Sequence, residues 1–416
     1  DEAYVQLGHG GLDADGDHSG RISVAAGIGT LAGGAGGGIT FTAGNNTDNF
    51  AQLGHGGSLS NGDHSGLIEV LAIDGIMFTG SGNQSYTQLG HGGYNASGTD
   101  GSTGAIRVGS TRGGISFGAG AGDDAYAQLG HGGNRTNGDH GGDDDADLNL
   151  DGDITVRAAQ NIDFNAGSTN AESYTQLGHG GFNSDGSHTG DITVSAGTAG
   201  TFDDIFDVDR DGTLETNGDD DLLFVNGGVG SIDFNSGAAA ENYSQLGHGG
   251  SGASGDHSGD IKMFALQGIN FTAGGANQAY TMAGNGGFNA DGSHSGLVSA
   301  RAGIDGTSGV TFTAGTAGEN VFAQFGNGGS ESGGDHSGRV EMLASGDISF
   351  LAGAGQEAYA QFGNGGFNAD TGGAASIGST GRLSIGSTNG QLIFRGGSGE
   401  DAYAQLGNGG RNNQGQ

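Results

Sequence analysis

Histidine is the residue type whose spacing in this sequence most directly suggests chemistry. The 13 histidines fall into two repeated positions. Six occupy the motif Gly-His-Gly-Gly: His9, His55, His91, His131, His179 and His248. Seven follow in a segment that is typically Gly-Asp-His-Ser-Gly: His18, His64, His140, His188, His257, His294 and His336. Two aligned columns of imidazoles could bind Zn²⁺ or Cu²⁺, or could switch with pH, since histidine titrates near neutrality.

A structural ladder is the alternative interpretation of the Gly-His-Gly-Gly histidines. The last four copies of the motif carry asparagine at this position: Asn285, Asn327, Asn364 and Asn408. Asparagine is a poor ligand for transition metals. It shares with histidine a tolerance of positive φ and side-chain hydrogen bonds that can repeat along a stack. The exchange therefore favours a ladder over a metal site.

Two acidic insertions, residues 198–230 and 143–151, contain the oxygen-rich spacing that surrounds calcium. The better candidate ligands are Asp207, Asp209, Asp211, the backbone carbonyl of Thr213, and Glu215. Position twelve of this loop is Gly218 rather than glutamate, so we expect an isolated calcium loop completed by a carboxylate from residues 219–221. The weaker candidates are Asp147, Asn149, Asp151 and Asp153. The alternative for both is a solvated acidic loop, and no other cofactor is expected.

Catalysis is not expected from this chain. A polysaccharide-cleaving β-helix gathers carboxylates and basic residues on one face. Arg21, Arg107 and Arg157 lie at different offsets in or near their strands, with no acid evidently paired to them. The sequence therefore predicts a protein that is not an enzyme.

Ice binding would need a flat, regular lattice of outward threonines. Thr40 and Thr42 form such a Thr-x-Thr pair. The equivalent positions elsewhere include Asp163 and Asn165, so the lattice is interrupted. An ice-binding solenoid is accordingly a weaker alternative.

The elements that position these residues follow from an internal repeat. The string Tyr-x-Gln-Leu-Gly-His-Gly-Gly and its variants occur ten times, beginning at Tyr4 and ending with the copy at Tyr403. Successive copies are 36 to 69 residues apart, which indicates a unit of about 36 residues with insertions in loops. Tandem units of this length typify solenoids.

Two further segments recur between the copies, each with the two-residue alternation of a strand. The first is Gly-x-Ile-x-Val-x-Ala, as at Ile22 and Val24, and the second is Ile-x-Phe-x-Ala-Gly, as at Ile39 and Phe41. We expect these four side chains to point inward. The sequence thus predicts an all-β fold, a right-handed parallel β-solenoid with three strands per coil and about ten coils, roughly 45 Å long at ~4.8 Å per coil.

The Tyr and Gln of the repeated string leave two questions open. A column of aromatic rings could bind sugars, but Phe50 and Phe322 replace the tyrosine, so packing is the favoured role. Tyr4 and Gln6 share one face of the strand, whereas Val5 and Leu7 share the other. The alternation does not decide which face is inward.

Composition agrees with an ordered solenoid. The chain has 98 glycines, which suit tight turns, and no proline, which would remove ladder hydrogen bonds. It has no cysteine, so no disulfide contributes. Asp and Glu number 47 against 12 Lys and Arg, a net charge of −35, which argues against nucleic acid and favours bound cations. No membrane span is expected, because no long apolar run occurs.

The paired segments Gly152–Ala158 and Asn161–Gly167 resemble the tandem units of filamentous haemagglutinin-like exoproteins, the β-helical adhesins of two-partner secretion. This resemblance implies a structural segment of an extracellular or cell-surface fibre, secreted by a bacterium and adhesive in use. It implies as partners the neighbouring coils or subunits of the fibre, and surface glycans or receptors on host or neighbouring cells. A purely scaffolding, self-assembling filament subunit is the alternative.

Residues 1–416 are expected to form a single repeat array cut from a longer chain. Asp1 and Ala3 match Asp401 and Ala402, the lead-in to the tenth copy. The sequence also stops soon after that copy, with no polar capping unit.

Overall fold

The computed structural model describes residues 3–27, 36–98, 101–142, 152–167, 169–198, 229–369 and 378–412. All strands in this part of the chain belong to four sheets in which every paired neighbour is parallel. Each repeat adds one strand to the growing sheets, so the predicted parallel β-solenoid is confirmed. Within these ranges, no helix is long and apolar enough to cross a membrane.

Three sheets are built from the segments that the sequence predicts to be strands. The tyrosine sheet comprises Tyr4–Leu7, Phe50–Leu53, Tyr86–Leu89, Tyr126–Leu129, Tyr174–Leu177, Tyr243–Leu246, Tyr280–Ala283, Phe322–Phe325, Tyr359–Phe362 and Tyr403–Leu406. The valine sheet comprises Ile22–Ala26, Ile68–Ala72, Ile106–Ser110, Ile154–Ala158, Ile192–Ala196, Ile261–Ala265, Val298–Ala302, Val340–Ala344 and Leu383–Ser387. The phenylalanine sheet comprises Ile39–Thr42, Ile76–Thr79, Ile115–Gly118, Ile162–Asn165, Ile232–Asn235, Ile269–Thr272, Val310–Thr313, Ile348–Leu351 and Leu392–Arg395.

A fourth sheet of two-residue strands, the histidine sheet, was not predicted. It comprises His18–Ser19, His64–Ser65, Ser102–Thr103, His140–Gly141, His188–Thr189, His257–Ser258 and His294–Ser295. Single bridges extend this row through His336 to Ser379. The seven loop histidines therefore lie in an ordered ladder rather than in a free loop.

Equivalent residues of successive coils pair directly across the sheets. Tyr126 pairs with Tyr174, and Phe164 pairs with Phe234. Aromatic rings consequently stack, with centroid separations of 4.6–5.2 Å along the tyrosine column. In-register parallel pairing converts each repeated residue of the sequence into a column in space.

Among the described residues, the buried apolar side chains form two separate cores. The main core is shared by the tyrosine, valine and phenylalanine sheets, and contains Leu129, Val156 and Phe164, each fully buried. Ile22, Val24, Ile39 and Phe41 lie in or against this core, which confirms their predicted inward orientation. Side chains buried to this degree contribute about 1.5–3 kcal/mol each.

Both faces of the Tyr-x-Gln-Leu strand are inward. One face packs in the main core and the other in the second core. Ala127 and Leu129 face the main core, whereas Tyr126 belongs to the second core with the other column aromatics. Phe182 and Phe288, eight residues after their own tyrosines, cover that column from the returning segment. The tyrosine sheet is therefore an internal wall between the two cores.

The turns around the second core need left-handed backbone. Gly130 has φ +152°, and a Cβ built on it would lie 1.9 Å from the carbonyl oxygen of Gly178 in the next coil. In the described ranges, eighteen non-glycine residues also have positive φ, in two columns exemplified by Asp124 (55°) and Arg135 (57°). Such conformations cost roughly 1–2 kcal/mol for an L-residue. The stacked neighbours must therefore hold these turns in place.

The 198–230 insertion leaves and rejoins the coil at neighbouring points. A Cβ built on Gly230 would lie 2.3 Å from the Cα of Gly197, so the two backbones touch. Strand Ile192–Ala196 before the insertion and strand Ile232–Asn235 after it both keep their pairing. The repeat register is preserved across the insertion.

Candidate functional site

The Gly-His-Gly-Gly histidines form a hydrogen-bonded ladder along the rod. The backbone N–H of His91 donates to Nδ1 of His131, 2.9 Å away in the next coil, and Nε2 of His91 lies 2.9 Å from the carbonyl oxygen of Gly66. The backbone contact recurs at 2.9–3.0 Å throughout this column. Since Nδ1 accepts and Nε2 donates, the geometry selects the neutral Nε2–H tautomer.

Asparagine continues the same ladder without a break. The backbone N–H of His248 donates to Oδ1 of Asn285 at 3.0 Å, and Nδ2 of Asn285 donates to the carbonyl oxygens of Gly259 (3.0 Å) and Ser295 (2.7 Å). The backbone-to-Oδ1 contact then repeats through Asn327, Asn364 and Asn408. Asparagine reproduces both functions of the neutral imidazole, so the predicted structural ladder is confirmed.

The expectation of positive φ at these positions was wrong. None of the described histidines has a positive φ, which belongs instead to flanking glycines such as Gly8 and Gly10. The exchange of histidine for asparagine therefore rests on side-chain hydrogen bonding alone.

The loop histidines form a second column, whose adjacent rings have centroids 4.7–5.3 Å apart. Nε2 of His140 lies 3.0 Å from Oγ1 of Thr136, four residues earlier in the chain. Ser60 and Ser332 support their histidines at the same spacing. This Ser/Thr-x-x-x-His spacing is a signal that the sequence analysis missed.

Several nitrogens of the second column have no partner among the described residues. Nδ1 of His64 and Nδ1 of His140 are two of them. Nδ1 of His188 instead contacts Nδ1 of His257 at 2.9 Å, which requires one ring to donate and the other to accept. From His64 onward the rings of this column are buried, and stacking joins its adjacent rings.

Burial sets the charge state of several interior histidines in each column. Desolvation is the largest cause lowering the pKa of His91, His140 and His257 to about 3, and that of His64 and His248 to about 4. Neighbouring histidines lower most of these values further, because a second positive charge would lie close by. These rings are neutral at physiological pH.

A transition metal would have to displace the ladder to reach the first column. The Nδ1 lone pairs that it would need accept backbone N–H groups, and Nε2 faces carbonyl oxygens. Within the described ranges, no group of three or more His, Cys, Asp or Glu side chains is placed to hold a metal ion.

Glutamine and tyrosine fill the second core beside the ladder. Nε2 of Gln88 donates to the carbonyl oxygens of His91, Gly130 and Gly132 at 2.9–3.1 Å. In three later coils the tyrosine hydroxyl donates to Oε1 of the preceding glutamine, at 3.1–3.3 Å. The rings are buried in the interior coils, which agrees with packing rather than with sugar binding at the surface.

The expectation that no acid pairs with the arginines was wrong for Arg21 and Arg107. Glu69, fully buried, accepts hydrogen bonds from Nε of Arg21 (2.9 Å) and Nη1 of Arg107 (3.4 Å). The three residues belong to three successive coils, and stacking brings them together although they are 38 and 48 residues apart. This cluster is a structural ion-pair network on the outer face of the valine sheet.

A carboxylate pair lies where the two left-handed columns meet. Arg135 contacts Asp124 at 3.4 Å and Glu172 at 3.6 Å. A hydrogen bond with Asp124, followed by burial, raises the pKa of Glu172 to about 7. Glu172 therefore takes up a proton more readily than an isolated glutamate does.

Most of the predicted calcium ligands lie outside the described residues. These are Asp207, Asp209, Asp211, Thr213, Glu215, Asp147, Asn149 and Asp151. Asp153 is described, and its Oδ1 accepts the backbone N–H of Asp191 at 2.8 Å. Asp191 makes the same contact with Asp260, so Asp153 begins a short aspartate ladder.

Comparisons with protein-family models, with curated protein sequences and with solved structures each found no match to this chain. The assignment as a β-helix repeat protein accordingly rests on the sheets and their register.

Proposed function

We propose that this chain is a structural, adhesive segment of an extracellular or cell-surface fibre of the filamentous haemagglutinin-like kind, secreted by a bacterium. The observation that supports this proposal most directly is the uninterrupted register of the tyrosine sheet over ten coils. A parallel stack of this kind is stiff, and each coil adds about 4.8 Å of length. Such a segment can hold a binding surface at a distance from a cell.

The outward faces support contact with other surfaces rather than catalysis. Outward positions of the phenylalanine sheet change from Thr40 to Met77, Ser116 and Asp163 in successive coils, whereas the inward Ile and Phe repeat. With a net charge of −35, the rod carries a dense negative surface that attracts counter-cations. The proposal gives the chain no catalytic role.

We also propose that calcium binds to the 198–230 insertion. The contact of Gly197 with Gly230 brings the two ends of the insertion together. A cation held by the aspartates of residues 207–215 would offset their mutual repulsion. Calcium would then act as a local clasp.

Surface binding by the isolated chain tests the adhesive proposal. Beads coated with the chain should be retained on a glycan array or on cultured cells, saturably and in competition with free chain. Beads coated with heat-unfolded chain are the control. Retention equal to that control would overturn the adhesive proposal, and concentration-dependent self-association without retention would favour the scaffolding filament.

A further inference from the structure

The two histidine columns lie side by side at the edge of the second core. A Cβ built on Gly132, the neighbour of His131, would lie 2.9 Å from Cδ2 of His140. His131 is fully buried, and His140 is 3% exposed. One coil thus places two neutral imidazoles together on the segment that covers the tyrosine column.

Protonation is incompatible with the ladder as it stands. Nδ1 of His131 accepts the backbone N–H of His91, so a proton on Nδ1 would place two donors face to face. The rings of His91 and His131 are 4.8 Å apart and nearly parallel, so charging both would add direct repulsion. A buried charge without a partner is itself costly.

We propose that the paired histidine columns form an acid-sensitive latch. At mildly acidic pH the coils with histidine in both columns open their second core, while a coil with histidine in neither column stays closed. The proposal is independent of the adhesive role, since it concerns the closure of the fold itself.

The groups around each ring determine where opening begins. Among the described residues, the charged side chains that act most strongly on His131 are all histidines, namely the column neighbours His91 and His179 and the adjacent His140. Carboxylates moderate other positions, because Asp17 and Asp63 lie near His64, and Asp191 lies near His248. These carboxylates favour the charged imidazole. The coil of His131 and His140 and the next coil, with His179 and His188, are therefore the sensitive part of the latch.

The sign of the effect follows from proton linkage. An opened imidazole titrates near pH 6.5, whereas burial lowers the pKa of the closed His140 to about 3. The closed state is therefore most stable above about pH 6.5, and its stability decreases as the pH falls toward the pKa that the histidine has in the closed state. Each buried histidine raises the opening constant about tenfold per pH unit in that window, and two raise it about a hundredfold.

The chain contains its own control for this behaviour. The ninth coil carries Asn364 in the ladder and Ser379 in the histidine row, so neither column is titratable there. Its tyrosine, Tyr359, stacks in the same column as those of the histidine coils. Acid should leave this coil closed under conditions that open the coil of His131.

Hydrogen exchange between pH 7 and pH 4.5, corrected for intrinsic exchange rates, measures the latch coil by coil. Below about pH 6.5, protection in residues 126–141 should fall by about a hundredfold per pH unit, whereas protection in residues 359–369 should stay nearly constant. Equal pH dependence in the two segments would overturn the proposal.

Exchanging the ladder residues tests the cause. The double variant His91→Asn/His131→Asn keeps both ladder hydrogen bonds. In residues 126–141 it should reduce the loss of hydrogen-exchange protection to about tenfold per pH unit, because only His140 remains. The reverse change, Asn327→His, should add acid sensitivity to its coil, which already contains the buried His336. The latch is contradicted if protection in the double variant falls as steeply with pH as in the unchanged chain. It is also contradicted if Asn327→His does not make protection in its coil more sensitive to acid.

Discussion

Removing one ring from the phenylalanine column should cost several kcal/mol and should do so locally. Phe164 is fully buried between Phe117, at a centroid distance of 5.0 Å, and Phe234, at 4.8 Å. Truncation of a buried Phe to Ala costs about 3–5 kcal/mol. Both neighbouring strands are held in register by their backbone ladders, so the cavity cannot collapse. We therefore expect Phe164→Ala to cost about 4–5 kcal/mol.

The adjacent residue supplies the matched control. Asn165 lies on the same strand but faces solvent, where its Oδ1 accepts a hydrogen bond from Asn235 at 2.9 Å. Asn165→Ala should therefore change stability by about 1 kcal/mol or less. Phe164→Asp should cost more than Phe164→Ala, because it buries an unpaired charge.

Urea denaturation gives the total change, and hydrogen exchange shows where stability is lost. Since each coil contacts only its neighbours, protection should fall first in strands Ile115–Gly118 and Ile232–Asn235, and last at Tyr403–Leu406. A loss below about 1 kcal/mol would refute the packing argument. A uniform loss along the rod would refute the nearest-neighbour description of the coils.

Three further changes test the electrostatics and the insertion. Asp163→Asn should stabilise the fold by about 1 kcal/mol at pH 7.5 and not at pH 4, because burial and Asp233 raise the pKa of Asp163 to about 6 and its charged form is the disfavoured one. Urea midpoints at the two pH values check this. Glu69→Gln should cost up to about 3 kcal/mol, since it leaves two arginines without their buried acid, and salt should reduce the difference. Calorimetry should detect calcium uptake that Asp209→Ala/Asp211→Ala abolishes, and unchanged uptake would eliminate the proposed loop.

The two columns of left-handed residues show why local sequence rules miss some of the structure. Asp124 and Arg135 adopt positive φ although neither is glycine or asparagine. Their side chains form an ion pair at 3.4 Å, and the backbone N–H of Arg135 donates to Phe182 of the next coil. Contacts between coils thus hold turns that the isolated segment would avoid.

The sequence by itself determined the solenoid, its period and the inward residues of two sheets. It also determined that one histidine column is a ladder, because asparagine replaces it in four consecutive copies. Parallel in-register stacking makes every repeated residue a column, so repetition along the chain is direct evidence about neighbours in space.

The tertiary structure alone decided how each coil folds back on itself. It placed both faces of the Tyr-x-Gln-Leu strand in a core, and it made the loop histidines a fourth sheet. It also joined Arg21, Glu69 and Arg107 across three coils. Insertions of varying length separate the ion-pair residues in the sequence, so their contact cannot be inferred from spacing. Alternation within one strand also does not indicate which of its faces a later segment of the same coil buries.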